Sequence, residues 1–198
     1  AIKSAVPLGS GPDIAIGPND WIGDLVENNL IVTIDPYLPA DYLVNTFEPA
    51  AANGVIYKTQ GWAIPDTQEG IALVYNKSVI TSTELPNPTD FNDLLTKATQ
   101  YQLSHPGKTY LCNQGLGGTD SYHVAPIYFG HGLNNYGGYV DENGVAYLDT
   151  AEALAAANWI NSFRPYGTPN GEYSICQNGL IAGSIAIWWT GPWALPEI

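Results

Sequence analysis

Residues 174–193 read Ser174-Ile-Cys-Gln-Asn-Gly-Leu-Ile-Ala-Gly183, Ser184-Ile-Ala-Ile-Trp-Trp189, Thr190-Gly-Pro-Trp193. The pattern predicts a short helix, then a buried strand, then an abrupt turn. The run Ile185-Ala-Ile-Trp-Trp189 is apolar throughout and too short for an independent helix, as expected of a strand inside a sheet. Pro192 lacks a backbone N–H and fixes its φ, so the ladder stops there. A strand ending in such a turn can hold the Trp193 ring at a sheet edge. Trp188 and Trp189 are neighbours, so their rings point to opposite faces, and one of the two is expected in the core.

Upstream, strand-like and helix-like segments alternate. Gly11-Pro-Asp-Ile-Ala-Ile-Gly17 predicts a turn and a short strand. Asn19 or Asp20 can cap a helix running to about Asn28. Residues 30–34 form a brief strand-like run, and residues 40–52 read as a helix with Tyr42, Leu43, Phe47 and Ala50 on one side. Asn53-Gly54 signals a turn between extended segments, with 55–57 and 62–64 as paired strands. Gly70-Ile-Ala-Leu-Val-Tyr75 predicts a strand buried on both faces. Helices are expected from a Thr89 cap to about Leu103, from Asp120 over 121–129, and from a Thr150 cap to Phe163. Residues 108–112 read as a strand, Gly115-Leu-Gly-Gly118 as a flexible loop, and 134–144 as a Gly- and Tyr-rich loop. The alternation predicts an α/β fold with mainly parallel sheets. Pro65-Asp66-Thr67-Gln68 is the best place for the chain to cross between two lobes.

Composition narrows the function. The 198 residues carry a formal charge of −13 with six Lys and Arg, so the chain is ill suited to nucleic acid or anionic lipid. Hydrophobic residues make up 45% and aromatics 12%, enough for a core, while charged residues are only 13%. No apolar run approaches a membrane span. Cys112 and Cys176 lack metal-ligand spacing; one disulfide and two buried thiols both fit the sequence. No GxSxG, HExxH, Walker loop or dinucleotide fingerprint occurs, so neither a cofactor nor a metal is expected.

Four places can carry chemistry. In Asn19-Asp20-Trp21, Asp20 can accept hydroxyl donors and Trp21 can stack on a sugar ring, or Asp20 merely caps a helix with Trp21 packed beneath. Glu69 precedes the 70–75 strand near the lobe crossing, and its alternative is a solvated loop acid. Asp120-Ser-Tyr122-His123 groups an acid, a phenol and an imidazole within one turn, or is simply a capped helix with an aromatic face. Trp193 is the fourth. Glu69 with Asp120 also makes a candidate glycosidase pair.

In order and spacing, these motifs resemble the extracellular solute-binding proteins of ABC importers, the family-1 group similar to maltose-binding protein. The matching pieces are Gly11-Pro-Asp-Ile-Ala-Ile, Asn19-Asp-Trp-Ile-Gly-Asp-Leu25, Ala63-Ile-Pro-Asp-Thr-Gln-Glu69-Gly-Ile-Ala-Leu-Val-Tyr-Asn-Lys77, Pro88-Thr-Asp-Phe-Asn-Asp-Leu-Leu95 and Ile185-Ala-Ile-Trp-Trp-Thr-Gly-Pro-Trp193. The resemblance implies a periplasmic-binding-protein-like type II fold, two lobes joined by a hinge. Residues 1–66 would belong to the first lobe, 67–70 to the hinge and 71–198 to the second lobe. It implies capture of a sugar or oligosaccharide in an interlobe cleft, by Asp20, Trp21, Glu69, Asp120, Tyr122, His123 and Trp193, rather than catalysis. His123 stands where an aromatic ring is common. A permease is the implied partner, with no nucleic acid, and the location is extracytoplasmic, periplasmic or at the cell surface, with a lipid anchor as one route. The chain resembles the central portion of such proteins, so an incomplete first lobe and self-association through its sheet edge are expected. On that fold Cys112 ends a strand and Cys176 begins a helix at the same end of the second lobe, which favours the disulfide. A glycoside hydrolase fragment, a polyamine or other cation binder, and a sensory or carbohydrate-binding module are the alternatives.

Overall fold

A computed structural model describes residues 2–117, 120–141 and 143–198. The chain packs as two compact units, Ala1–Gln68 and Glu69–Ile198.

The second unit is built on a three-stranded sheet. Its strands are β3 (Ala72–Tyr75), β4 (Thr109–Cys112) and β5 (Ile185–Thr190), in the order β3-β5-β4. β4 runs parallel to β5, with Leu111 opposite Ile187 and Cys112 opposite Trp188. β3 runs antiparallel, with Ala72 opposite Thr190 and Leu73 opposite Trp189. The carboxyl ends of β4 and β5 and the start of β3 therefore lie at one end of the sheet. All six residues of β5 are buried, as an uninterrupted apolar run between two partners requires.

Four helices cover this sheet, and capping chemistry sets where three of them begin. The Asp90 carboxylate accepts from the backbone N–H groups of Asn92 and Asp93, opening α5 (Phe91–Ser104). Asp120 caps α6 (Ser121–Gly130), and Thr150 accepts from the Ala153 N–H to open α7 (Ala151–Phe163). Ala153, Ala156, Trp159 and Phe163 fall on one face of α7 and are buried, with the Trp159 and Phe163 rings stacked at 5.0 Å. Emptying the Phe163 site by Phe163→Ala would cost about 3–5 kcal/mol. α8 (Tyr173–Ala182) ends at Gly183, whose φ of 70° is the left-handed conformation that closes helices. A disulfide joins Cys112, at the end of β4, to Cys176 in α8, closing a loop of sequence separation 64.

The first unit contains α1 (Ile2–Ala5), α2 (Ile22–Glu27), α3 (Tyr42–Thr46), α4 (Pro49–Gly54) and a hairpin of β1 (Ile56–Tyr57) and β2 (Gln60–Gly61). Its small core holds Ile22, Leu43, Ala52 and Val55, with Phe47, Tyr57 and Trp62 packed against it.

Several local expectations are corrected. Residues 11–17 and 30–34 form no strand, and Ile14, Ile16 and Val32 are 86%, 87% and 73% exposed. An extended run needs a neighbouring strand for its backbone groups, and no described strand pairs with these. Pro49 cannot continue the preceding turn, so the single helix expected over 40–52 is two, and Ala52 rather than Ala50 is buried. Asn53-Gly54 closes α4 instead of turning a hairpin. The hairpin turn is Lys58-Thr59, both at positive φ (49° and 65°), as a type I′ turn requires. Neither Asn19 nor Asp20 caps α2; they lie in a 3-10 turn with Trp21. β3 is an edge strand with both ends exposed, not buried on both faces, and the sheet is mixed rather than mainly parallel. Both Trp188 and Trp189 are core, in separate clusters on opposite faces. Asp90, not Thr89, opens α5. Of the expected glycine loop, Gly118, like Thr119 after it, falls outside the described residues.

Candidate functional site

At the carboxyl ends of β4 and β5 the second unit gathers a carboxylate, a phenol, an imidazole and an indole. Strand carboxyl ends are where α/β sheets present ligand-binding groups, because loops and helix starts converge there. Asp120 is fixed twice: one carboxylate oxygen accepts from the His123 backbone N–H at 3.0 Å, and the other lies 2.7 Å from His123 Nδ1. The Asp120 side chain remains 33% exposed, that of His123 only 8%.

Trp193 is positioned by its own turn. Its ring folds back over Gly191 so closely that a Cβ there would lie 2.0 Å from Cζ3. Only glycine leaves that room. The Trp193 ring lies 6.3 Å from the half-exposed Tyr122 ring at 42°, and 6.1 Å from the His123 ring, nearly perpendicular to it. Trp193 also packs against the cluster of Cys112, Cys176, Trp188 and Ala194. The disulfide and β5 thus support the ring from behind.

A cavity of about 440 Å³ opens beside Asp120, lined by Gln114, Gly117, Asn170, Gly171, Glu172 and Tyr173. Gln114 is held by the Trp188 indole N–H at 3.4 Å, and the Tyr173 hydroxyl donates to Glu197 at 3.0 Å. The 169–171 loop reaches the sheet end because Gly171 sits against the Asn113 carbonyl, where a Cβ would come within 2.5 Å. Tyr139 donates to the Ser121 carbonyl at 2.9 Å, and burial first, then Tyr128 and Asp120, push its phenol up to about 12. It stays a neutral donor that pins the start of α6.

The structure thus brings Asp120, Tyr122, His123 and Trp193 together. Glu69 is exposed and lies three residues before Ala72, hence at the same end of the sheet, but it does not line the cavity. Asp20 and Trp21 belong to the first unit; Asp20 is exposed, and Trp21 is 47% exposed with its ring resting on Gly17. A second cavity, about 480 Å³, lies within the first unit along 45–51 and 65–68 and contains none of these residues. Sequence reasoning missed Gln114, Asn170, Glu172 and Tyr173. The available signals are the turn after β4 and the Asn170-Gly171 dipeptide before a helix, and neither carries a ligand-binding pattern. Among the described residues no cluster of His, Cys, Asp and Glu has the geometry of a metal site, and no helix is long and apolar enough to cross a membrane.

The family profile of the bacterial extracellular solute-binding proteins matches residues 1–196. The chain belongs to this family. A maltotriose-binding protein of Pyrococcus abyssi is 28% identical over 201 residues, covering all of this chain and 41% of that protein. Among solved structures, the GacH receptor of Streptomyces glaucescens, determined unliganded and with acarbose, superimposes with a TM-score of 0.74 at 22% identity, covering 99% of this chain and 50% of the receptor. The Thermus thermophilus maltotriose binding protein, bound with maltotriose, gives 0.67 at 17% identity, covering 99% and 51%. These likenesses establish the periplasmic sugar-binding-protein fold, and the chain spans about half the length of the relatives it matches or less. The named relatives are binding proteins and receptors.

Proposed function

We propose that this chain forms part of the solute-binding component of an ABC importer and captures a neutral sugar or oligosaccharide without chemical conversion. The observation that carries this is Trp193, held over Gly191 beside the exposed Tyr122 ring, with the Asp120 carboxylate at the same sheet end. An indole and a phenol supply flat apolar area for the C–H face of a pyranose. Asp120 accepts ligand hydroxyls in charge-assisted hydrogen bonds. Gln114, Asn170 and Glu172 add polar partners along the adjoining cavity. With a formal charge of −13 the chain disfavours anionic solutes.

On this reading residues 1–66 and 71–198 serve as lobes and 67–70 as the hinge, with Asp20, Trp21 and Glu69 as further ligand contacts on closure. The permease of the importer is the partner that recognises the loaded form, and the site of action is extracytoplasmic. Names of relatives that refer to maltotriose and acarbose favour α-linked glucose oligomers as first ligands to try.

The test is isothermal calorimetry of the chain against maltose, maltotriose, acarbose, spermidine and a set of amino acids. Heat with a neutral oligosaccharide, lost in Trp193→Ala, is expected. Heat only with spermidine or an amino acid refutes the sugar reading, and release of glucose from maltotriose refutes a purely binding role.

A further inference from the structure

His123 is 6% exposed and sits beneath the surface formed by Tyr122 and Trp193. A ring so placed cannot offer its face to a ligand. Its chemistry is nonetheless specific. Nδ1 lies 2.7 Å from one Asp120 oxygen, while Nε2 is buried with no hydrogen-bond partner among the described residues. A carboxylate only accepts, so the bonded Nδ1 carries a proton. A buried polar atom without a partner is costly, and an aromatic hydrocarbon ring here would avoid that cost. The imidazole is worth keeping only for what Nδ1 does.

We infer that His123 is a positioning residue for Asp120: its Nδ1–H locks the carboxylate in the orientation that presents the remaining lone pairs to a ligand. This rests on the sugar-binding role proposed above. A carboxylate has about four acceptor positions; the His123 N–H and Nδ1–H take one on each oxygen. Two contacts to different oxygens fix the carboxylate plane, so the other two positions point in set directions from a side chain still 33% exposed. Pre-set acceptors bind hydroxyls without the entropy loss of ordering them. His123 is itself held from the sheet, because the fully buried Asn113 donates its amide to the His123 carbonyl at 2.8 Å and accepts from the Gly115 N–H at 2.8 Å. Asn113 directly follows Cys112 of the disulfide. The titratable groups near the pair are Tyr122 on the same helix, Tyr139, which lies close enough for Asp120 to raise its phenol, and Glu172 across the shared cavity.

Two measurements on the whole chain test this. The first is 15N NMR of the ligand-free protein, which reads the His123 tautomer directly. A proton on Nδ1 is expected; the tautomer with Nδ1 bare and its proton on Nε2 overturns the pairing whether or not any sugar binds. The second is a double-mutant cycle on maltotriose affinity by calorimetry. His123→Phe keeps a ring but loses the donor and is expected to weaken binding about tenfold, the scale of a lost hydrogen bond to a charged group. His123→Asn places an amide N–H where Nδ1 stood and is expected to restore most of that loss. Asp120→Asn/His123→Phe is expected to bind no more weakly than Asp120→Asn alone. Additive losses, or an Asn variant no better than the Phe variant, overturn the proposal. Absence of maltotriose heat from the unmutated chain overturns the sugar reading instead, a result distinct from a wrong tautomer.

Discussion

Gly191→Ala isolates the contribution of one ring. Gly191 has φ −104° and ψ 177°, an extended conformation open to alanine, so the substitution introduces no backbone strain. Its whole effect is steric. The new Cβ would lie 2.0, 2.2 and 2.4 Å from Cζ3, Cη2 and Cε3 of Trp193, against about 3.4 Å for ordinary contact, so the ring must retreat by about 1.4 Å or more. The side-chain and backbone shifts that relieve such an overlap cost about 1–3 kcal/mol. The partly exposed ring escapes by swinging outward, so the stability loss falls at the low end, about 1 kcal/mol. Swinging out also breaks the geometry with Tyr122, and maltotriose affinity should fall at least about tenfold, or 1.4 kcal/mol. Calorimetry gives the affinity and a urea titration gives the stability. A Gly191→Ala chain that binds maltotriose as tightly as the unmutated one refutes the assignment of Trp193 as a ligand ring.

Removing the disulfide by Cys112→Ser with Cys176→Ser frees a loop of sequence separation 64, and loop-closure entropy sets the loss at about 4 kcal/mol; an unchanged urea midpoint contradicts a stabilising role. Asp90→Ala and Asp120→Ala each remove a helix cap and should each cost about 1 kcal/mol, yet only Asp120→Ala should also abolish maltotriose heat. Loss of binding in both variants would mean that stability, not the site, was being read. The Glu84 carboxyl is held below its ordinary range by the Thr81 hydroxyl and the Thr81 backbone N–H. A depressed folded value means that stability is present above the unfolded value and lost as pH falls through the folded one. Urea midpoints should therefore drop on acidification below the ordinary Glu value of about 4.3, and by less in Glu84→Gln; parallel profiles would exclude Glu84 as a contributor.

The second unit was more legible in the sequence than the first, for physical reasons. β5 is a continuous apolar run between two strands, and α6 and α7 begin at residues whose side chains do cap them. Such signals are local, so the chain itself displays them. The first unit depends on non-local facts. Ile14, Ile16 and Val32 look like strand residues, but no described strand pairs with them. Lys58-Thr59 turns the hairpin at positive φ without a Gly or Asn to announce it. In the site, Asp120, Tyr122 and Trp193 carry recognisable chemistry at element ends. The burial of His123 does not show, because the Trp193 ring that meets it is 70 positions away. Gln114 and Glu172 meet across the cavity only because irregular loops pack against each other at Gly171, and loops carry no periodicity to read.

The most direct measurement follows the six indole N–H resonances while maltotriose is added to 15N-labelled protein. Trp62 and Trp159 donate internally to Tyr57 and Phe91, so their signals should stay in place while that of Trp193 moves most and saturates. Movement of all the others with Trp193 unshifted, or no movement at any maltotriose concentration, would contradict a sugar site at the end of β5.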